Sequence, residues 1–70
     1  MKKTTKITTG LYNLNIDGTN YALVCWNSFM GEGSKEWNVY EGSGQDIEDG
    51  NDLPWITTQR TKKEAIEYVS

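Results

Sequence analysis

The sequence predicts an α+β domain: an antiparallel three- to four-stranded meander with one C-terminal α-helix packed on one face. Three observations carry that expectation. Tyr12, Leu14 and Ile16 recur at every second position, the period of a half-buried strand. Asp17-Gly18 separates that run from a second β-favouring run, Tyr21 to Trp26. Asp-Gly there is a strong hairpin signal, because a type I′ turn needs positive φ at both central residues. Thr61-Lys62-Lys63-Glu64 then fits a capping box ahead of a short apolar stripe.

Taken in order, residues 1–6 are basic and threonine-rich and read as a frayed end that becomes a strand near Ile7. The Asp-Gly turn fixes the hairpin register. Leu14 should face Tyr21 and Tyr12 should face Leu23, on one side with Ile16 and Cys25. On the other side Leu11 should meet Val24, Asn13 meet Ala22, Asn15 meet Asn20 and Thr9 meet Trp26. Residues 27–34 have the Gly and Ser content of a loop. Lys35–Glu41 reads as a third strand, and residues 42–52 as a second loop, too polar to pack. Leu53 to Thr58 is short and extended, and Pro54 puts it at a sheet edge or at a strand start. In the final helix Ala65, Ile66 and Val69 share a stripe with Lys62 at its start, and so short a helix must be held by docking on the sheet.

Seventy residues make one domain, 1–70, whose core has to come largely from eight aromatic side chains. Dimerisation is the other route by which so small a chain gains a sufficient core. Cys25 has no partner for a disulfide, and with no histidine the chain lacks the ligands of a structural zinc site. No apolar run approaches the ~20 residues of a membrane span. The basic start is followed by no apolar stretch, so it does not read as a signal peptide, and a reducing cytoplasm is the expected compartment.

Catalytic constellations are nearly absent. There is no histidine for acid–base work at neutral pH. Cys25 reads as a small buried apolar residue rather than a nucleophile. The carboxylates crowd a loop, whereas acid–base pairs need fixed separations. Gly31-Glu32-Gly33 and Gly42-Ser43-Gly44 lack the rest of any dinucleotide or phosphate-loop motif. A calcium loop starting at Asp46 would need Gly at 51 and Glu at 57, where Asn51 and Thr57 stand. The expectation is a protein that is not an enzyme and uses no cofactor or metal.

Charge is uneven: the net charge is -3, yet residues 32–52 alone sum to -6. Glu41, Asp46, Glu48, Asp49 and Asp52 therefore form a candidate steering surface for a basic partner. Trp26 and Phe29 flank the first loop and Trp55 lies beside the second, as aromatic anchors of a protein interface would. Tyr12, Tyr21 and Trp37 are expected in the core.

Around Trp55 to Ala65 a second signal appears. The Thr61-Lys62-Lys63-Glu64-Ala65 helix start after a β-meander resembles the N-terminal arm-binding domain of phage and transposon integrases. That resemblance implies a three-stranded sheet inserted into a DNA major groove, with Lys2, Lys3, Lys6, Lys35, Arg60, Lys62 and Lys63 on phosphates. Such a sheet carries Arg and Lys on its DNA face, whereas the third strand here has one lysine. In size and layout the chain also resembles small accessory proteins of phages and mobile elements. The leading expectation is thus a non-enzymatic protein-binding module of phage or mobile-element type, an inhibitor occupying a basic surface of a host or defence protein. Nucleic-acid binding through the sheet ranks second, and no membrane is involved.

Overall fold

The computed structural model describes residues 2–29, 31 and 35–70. The Asp17-Gly18 hairpin forms as the sequence requires: φ is 48° at Asp17 and 90° at Gly18, both in the left-handed region that a type I′ turn demands. Strand β2, Leu11–Ile16, and strand β3, Thr19–Val24, flank it. Their register pairs Leu14 with Tyr21, Tyr12 with Leu23, Asn13 with Ala22, Asn15 with Asn20 and Leu11 with Val24. Strand β4 spans Trp37–Glu41 and pairs with β3.

Two further strands complete the sheet. Residues 2–6 of the expected frayed end are instead part of strand β1, Lys2–Thr8, antiparallel to β2 from Lys2 opposite Ile16 to Thr8 opposite Leu11, while residue 1 lies outside the described residues. Its threonines favour strand structure, and its exposed lysines suit an edge. Strand β5, Trp55–Gln59, forms the other edge directly after Pro54, whose carbonyl accepts the Glu41 N–H at 2.8 Å. A proline just before an edge strand removes no ladder bond. The order is β1-β2-β3-β4-β5, a five-stranded meander rather than one of three or four strands.

Helix α3, Lys62–Tyr68, begins at the expected cap: the Thr61 hydroxyl accepts the Glu64 N–H at 3.1 Å and donates to the Glu64 carboxylate at 3.2 Å. Leu14, Leu23, Val39 and Ala65 form the main core, entirely withdrawn from solvent. Tyr12, Ile16, Tyr21, Trp37, Ile56, Ile66 and Val69 pack around it. Each buried leucine contributes about 1.5–3 kcal/mol, so this cluster is what holds so short a helix in place. Tyr12 and Trp37 meet at 5.7 Å between ring centroids, and the Lys62 ammonium sits 4.1 Å over the Tyr12 ring.

The second face departs from expectation. β3 stops at Val24, so Thr9 and Trp26 do not pair; the Cys25 N–H instead reaches back to the Gly10 carbonyl at 2.8 Å. Cys25, buried with its thiol 3.6 Å from the Lys35 carbonyl, therefore lies just past the strand rather than within it. Its carbonyl accepts the Ser28 and Phe29 N–H groups, turning the chain into helix α1, Trp26–Phe29, which takes Trp26 from the expected strand and runs into the expected loop. Residues 30 and 32–34 of that expected loop lie outside the described residues. The expected polar loop at 42–52 contains helix α2, Gly44–Glu48, which packs on β2 and β3. One helix was expected; among the described residues there are three.

Candidate functional site

Strand register decides which side chains share the second face. Because side chains alternate along a strand, one row crosses all five strands on the side opposite the main core. It runs Thr5, Asn13, Ala22, Tyr40, Trp55. The adjacent row holds Leu11, Val24, Asn38 and Thr58. Leu11, Ala22 and Val24 are wholly buried, so this face is covered as fully at its centre as the other.

What covers it is α2, and small residues let it approach. Ser43 caps the helix by accepting the Gln45 N–H at 3.1 Å. The Gly44 N–H is donated to the Asn13 side-chain carbonyl at 2.9 Å. Gly44 lies so close to β2 that an added Cβ would come within 2.9 Å of the Tyr12 carbonyl oxygen. The run is therefore not too polar to pack: Gly44 brings its backbone against β2, and most of its carboxylates stay exposed. Asp46 is half-buried, whereas Glu48, Asp49 and Asp52 are exposed.

Between α1, β4 and the chain after α2 lies a half-open cleft of about 320 Å³. Trp26, Phe29, Tyr40, Ile47, Leu53 and Asp52 line it, along with Gly50 and Asn51. The Trp26 indole donates to the Tyr40 hydroxyl at 3.2 Å, with the two rings edge-on at 6.4 Å. Phe29 packs on Trp26 at 5.7 Å. Such tilted and edge-on arrangements suit the ring quadrupoles and hold the rings in fixed orientation.

Trp55 stands beside the cleft, opposite Tyr40, and 61% of it is exposed. Its indole donates to the Thr58 hydroxyl at 3.1 Å, and that hydroxyl donates to the Asn38 side-chain carbonyl at 2.6 Å. The ring is thus exposed yet tethered.

Of the residues expected at a partner-binding site, Trp26, Phe29 and Asp52 come together in the cleft, with Trp55 beside it. Asp46, Glu48 and Asp49 lie on α2 and at its end. Glu41 separates from them: paired with Tyr21, it points to the α3 side of the sheet. Tyr40, Ile47 and Leu53 were not expected here. Their signals were an apolar pair, Val39-Tyr40, that must put one side chain on each side of a strand, and a lone isoleucine within an acidic run.

The cations do not gather in one place, and Lys35 stands ahead of the inner strand β4. Lys2, Lys3 and Lys6 lie on β1, while Arg60, Lys62 and Lys63 follow β5, with Lys62 engaged by Tyr12. Among the described residues no group of three or more His, Cys, Asp or Glu is placed to hold a metal ion, and no helix is long and apolar enough to cross a membrane. Comparison with protein-family models, with curated proteins and with solved structures finds no match.

Proposed function

We propose that this chain is a non-enzymatic protein-binding module that docks its α2 side on a basic surface of another protein. In this reading Asp46, Glu48, Asp49 and Asp52 steer the approach and Trp55 anchors the contact. The partner is a host or defence protein, inhibited because carboxylates occupy the place where phosphates would bind. A phage or mobile-element origin belongs to the same reading.

The observation that carries it is the tethered, exposed Trp55 beside an aromatic cleft whose lining includes the exposed Asp52. An exposed indole costs water structure unless something covers it, and tryptophan is prominent among residues that dominate interface energetics. Acidic residues around it raise the association rate with a basic partner and make it fall with salt.

The test is affinity capture by a tagged copy, run at two salt concentrations, beside a variant carrying D46K, E48K and D49K. The partner should be retained at low salt by the native chain and lost by the variant. Absence of a partner, or equal capture by both chains, would end this reading.

A further inference from the structure

We propose that the cleft between Trp26, Phe29 and Tyr40 receives the guanidinium of an arginine side chain. This rests on the protein-binding reading above and adds the chemistry of the occupant.

The walls and the lip ask for different properties, and one group supplies both. Trp26 packs against both Phe29 and Tyr40, with Ile47 and Leu53 completing an apolar lining. Such walls favour a flat, weakly hydrated group. Asp52 is at the same cleft, and the surrounding run Gly44 to Asp52 holds Asp46, Glu48, Asp49 and Asp52 with no Lys or Arg. That charge favours a cation and repels phosphates and carboxylates.

A guanidinium is planar, stacks on aromatic faces and keeps its charge at any accessible pH. Over tryptophan, tyrosine or phenylalanine it gains a cation–π attraction that grows as water is excluded. Its forked N–H groups can meet a carboxylate such as Asp52 in two parallel hydrogen bonds. A lysine ammonium offers the charge without the flat face and is more strongly hydrated. A neutral apolar side chain would fill the walls and leave Asp52 without a partner.

The volume has room for an arginine side chain. About 320 Å³ stands at the lower end of small-ligand clefts, which begin near 300 Å³. The Trp26 to Tyr40 hydrogen bond fixes two of the rings before anything arrives, which lowers the ordering cost of binding.

The experiment titrates the full chain with three capped peptides of equal length. They differ only at one central position, which is arginine, lysine or citrulline. Citrulline keeps the planar shape and removes the charge. Dissociation constants are measured while the Trp26 indole N–H resonance is followed by NMR. The arginine peptide should bind at least about fivefold tighter than the lysine peptide and well above citrulline. The Trp26 indole should shift while that of Trp37, in the opposite core, stays put. Asp52→Asn, at an exposed position, should remove most of the arginine advantage without affecting folding.

Equal binding of the arginine and lysine peptides with an unmoved Trp26 resonance would overturn the cleft assignment and leave charge steering intact. Failure of all three peptides at millimolar concentration would also overturn it. The charge-reversal capture experiment decides the broader reading separately.

Discussion

The side-chain carbonyl of Asn13 accepts the backbone N–H of Gly44 at 2.9 Å, tying the start of α2 to the middle of β2. The same asparagine donates to Asn20 at 3.1 Å, and Asn20 also accepts from Asn15 at 2.9 Å. Asn15 in turn accepts the Gly18 N–H at 3.2 Å. A polar network thus runs from the hairpin turn to α2, and amide hydrogen bonds join the apolar contact of Ile7 in fixing the start of that acidic helix.

Gly44→Ala tests how close that approach is. Helix propensity alone favours alanine by up to about 1 kcal/mol. The new Cβ, however, would meet the Tyr12 carbonyl oxygen at 2.9 Å and the Asn13 Cα at 3.2 Å, both backbone atoms. Overpacking against backbone costs about 1–3 kcal/mol and should win. Asn13→Ala should cost about 1–2 kcal/mol by removing the partner of the Gly44 N–H. Urea unfolding of the two single variants and the double variant checks this. The double variant should lose less than the sum, because both changes release the same helix.

Gly18→Ala isolates the turn. Nothing lies within 4 Å of a Cβ at that position, so any loss comes from backbone conformation alone. With φ at 90°, an L-residue costs about 1–2 kcal/mol. For a domain of this size a loss of 1 kcal/mol corresponds to roughly 4–8 °C in Tm. A calorimetric Tm within 1–2 °C of the native chain, by the same conversion, would show that the turn contributes little.

Thr61→Ala removes the α3 cap and should cost about 1 kcal/mol, whereas Thr61→Ser should cost a few tenths, since serine caps as well as threonine. Thermal unfolding of both variants gives the comparison. Equal losses would point to the lost methyl group rather than the hydrogen bond to the Glu64 N–H.

The lysines of β1 are predicted to keep the sheet edge from pairing with another copy. Lys2, Lys3 and Lys6 are all exposed there, and β5 at the other edge carries no charge. Replacing Lys3 and Lys6 with threonine retains strand propensity and removes the repulsion. Light scattering should then record a mass that rises with concentration, in contrast to the native chain. An unchanged mass would assign the lysines no guarding role.

The hairpin register was legible in the sequence on both faces, including Leu11 with Val24, Asn13 with Ala22 and Asn15 with Asn20, whereas what covers the second face was not. Asp17-Gly18 determined the hairpin register, so Leu14, Tyr21, Tyr12 and Leu23 could be paired in advance, and the Thr61 cap marked the start of α3. β1 was hidden because Lys2 to Lys6 has no apolar alternation; as an edge strand it needs only backbone pairing with β2. α2 was hidden for a related reason. Its docking uses Gly44 and the side chain of Asn13, and neither an absent side chain nor a single asparagine registers as hydrophobic periodicity. The cleft followed the same pattern: Trp26 and Phe29 stood out as aromatics near a loop, but Tyr40 joins them only once β4 is in register with Ala22 and Trp55.

Among the described residues Trp55 and Tyr68 are the exposed large hydrophobic side chains, at 61% and 58%, one on β5 in the row with Tyr40 and the other on α3. Their alanine variants therefore give the most direct test of where a partner docks. With the captured partner in hand, its Kd is measured for the native chain, Trp55→Ala and Tyr68→Ala. Binding through the α2 side predicts at least a tenfold loss, about 1.4 kcal/mol, for Trp55→Ala and no change for Tyr68→Ala. Loss at Tyr68 with Trp55 indifferent would contradict it and move the contact to the α3 side.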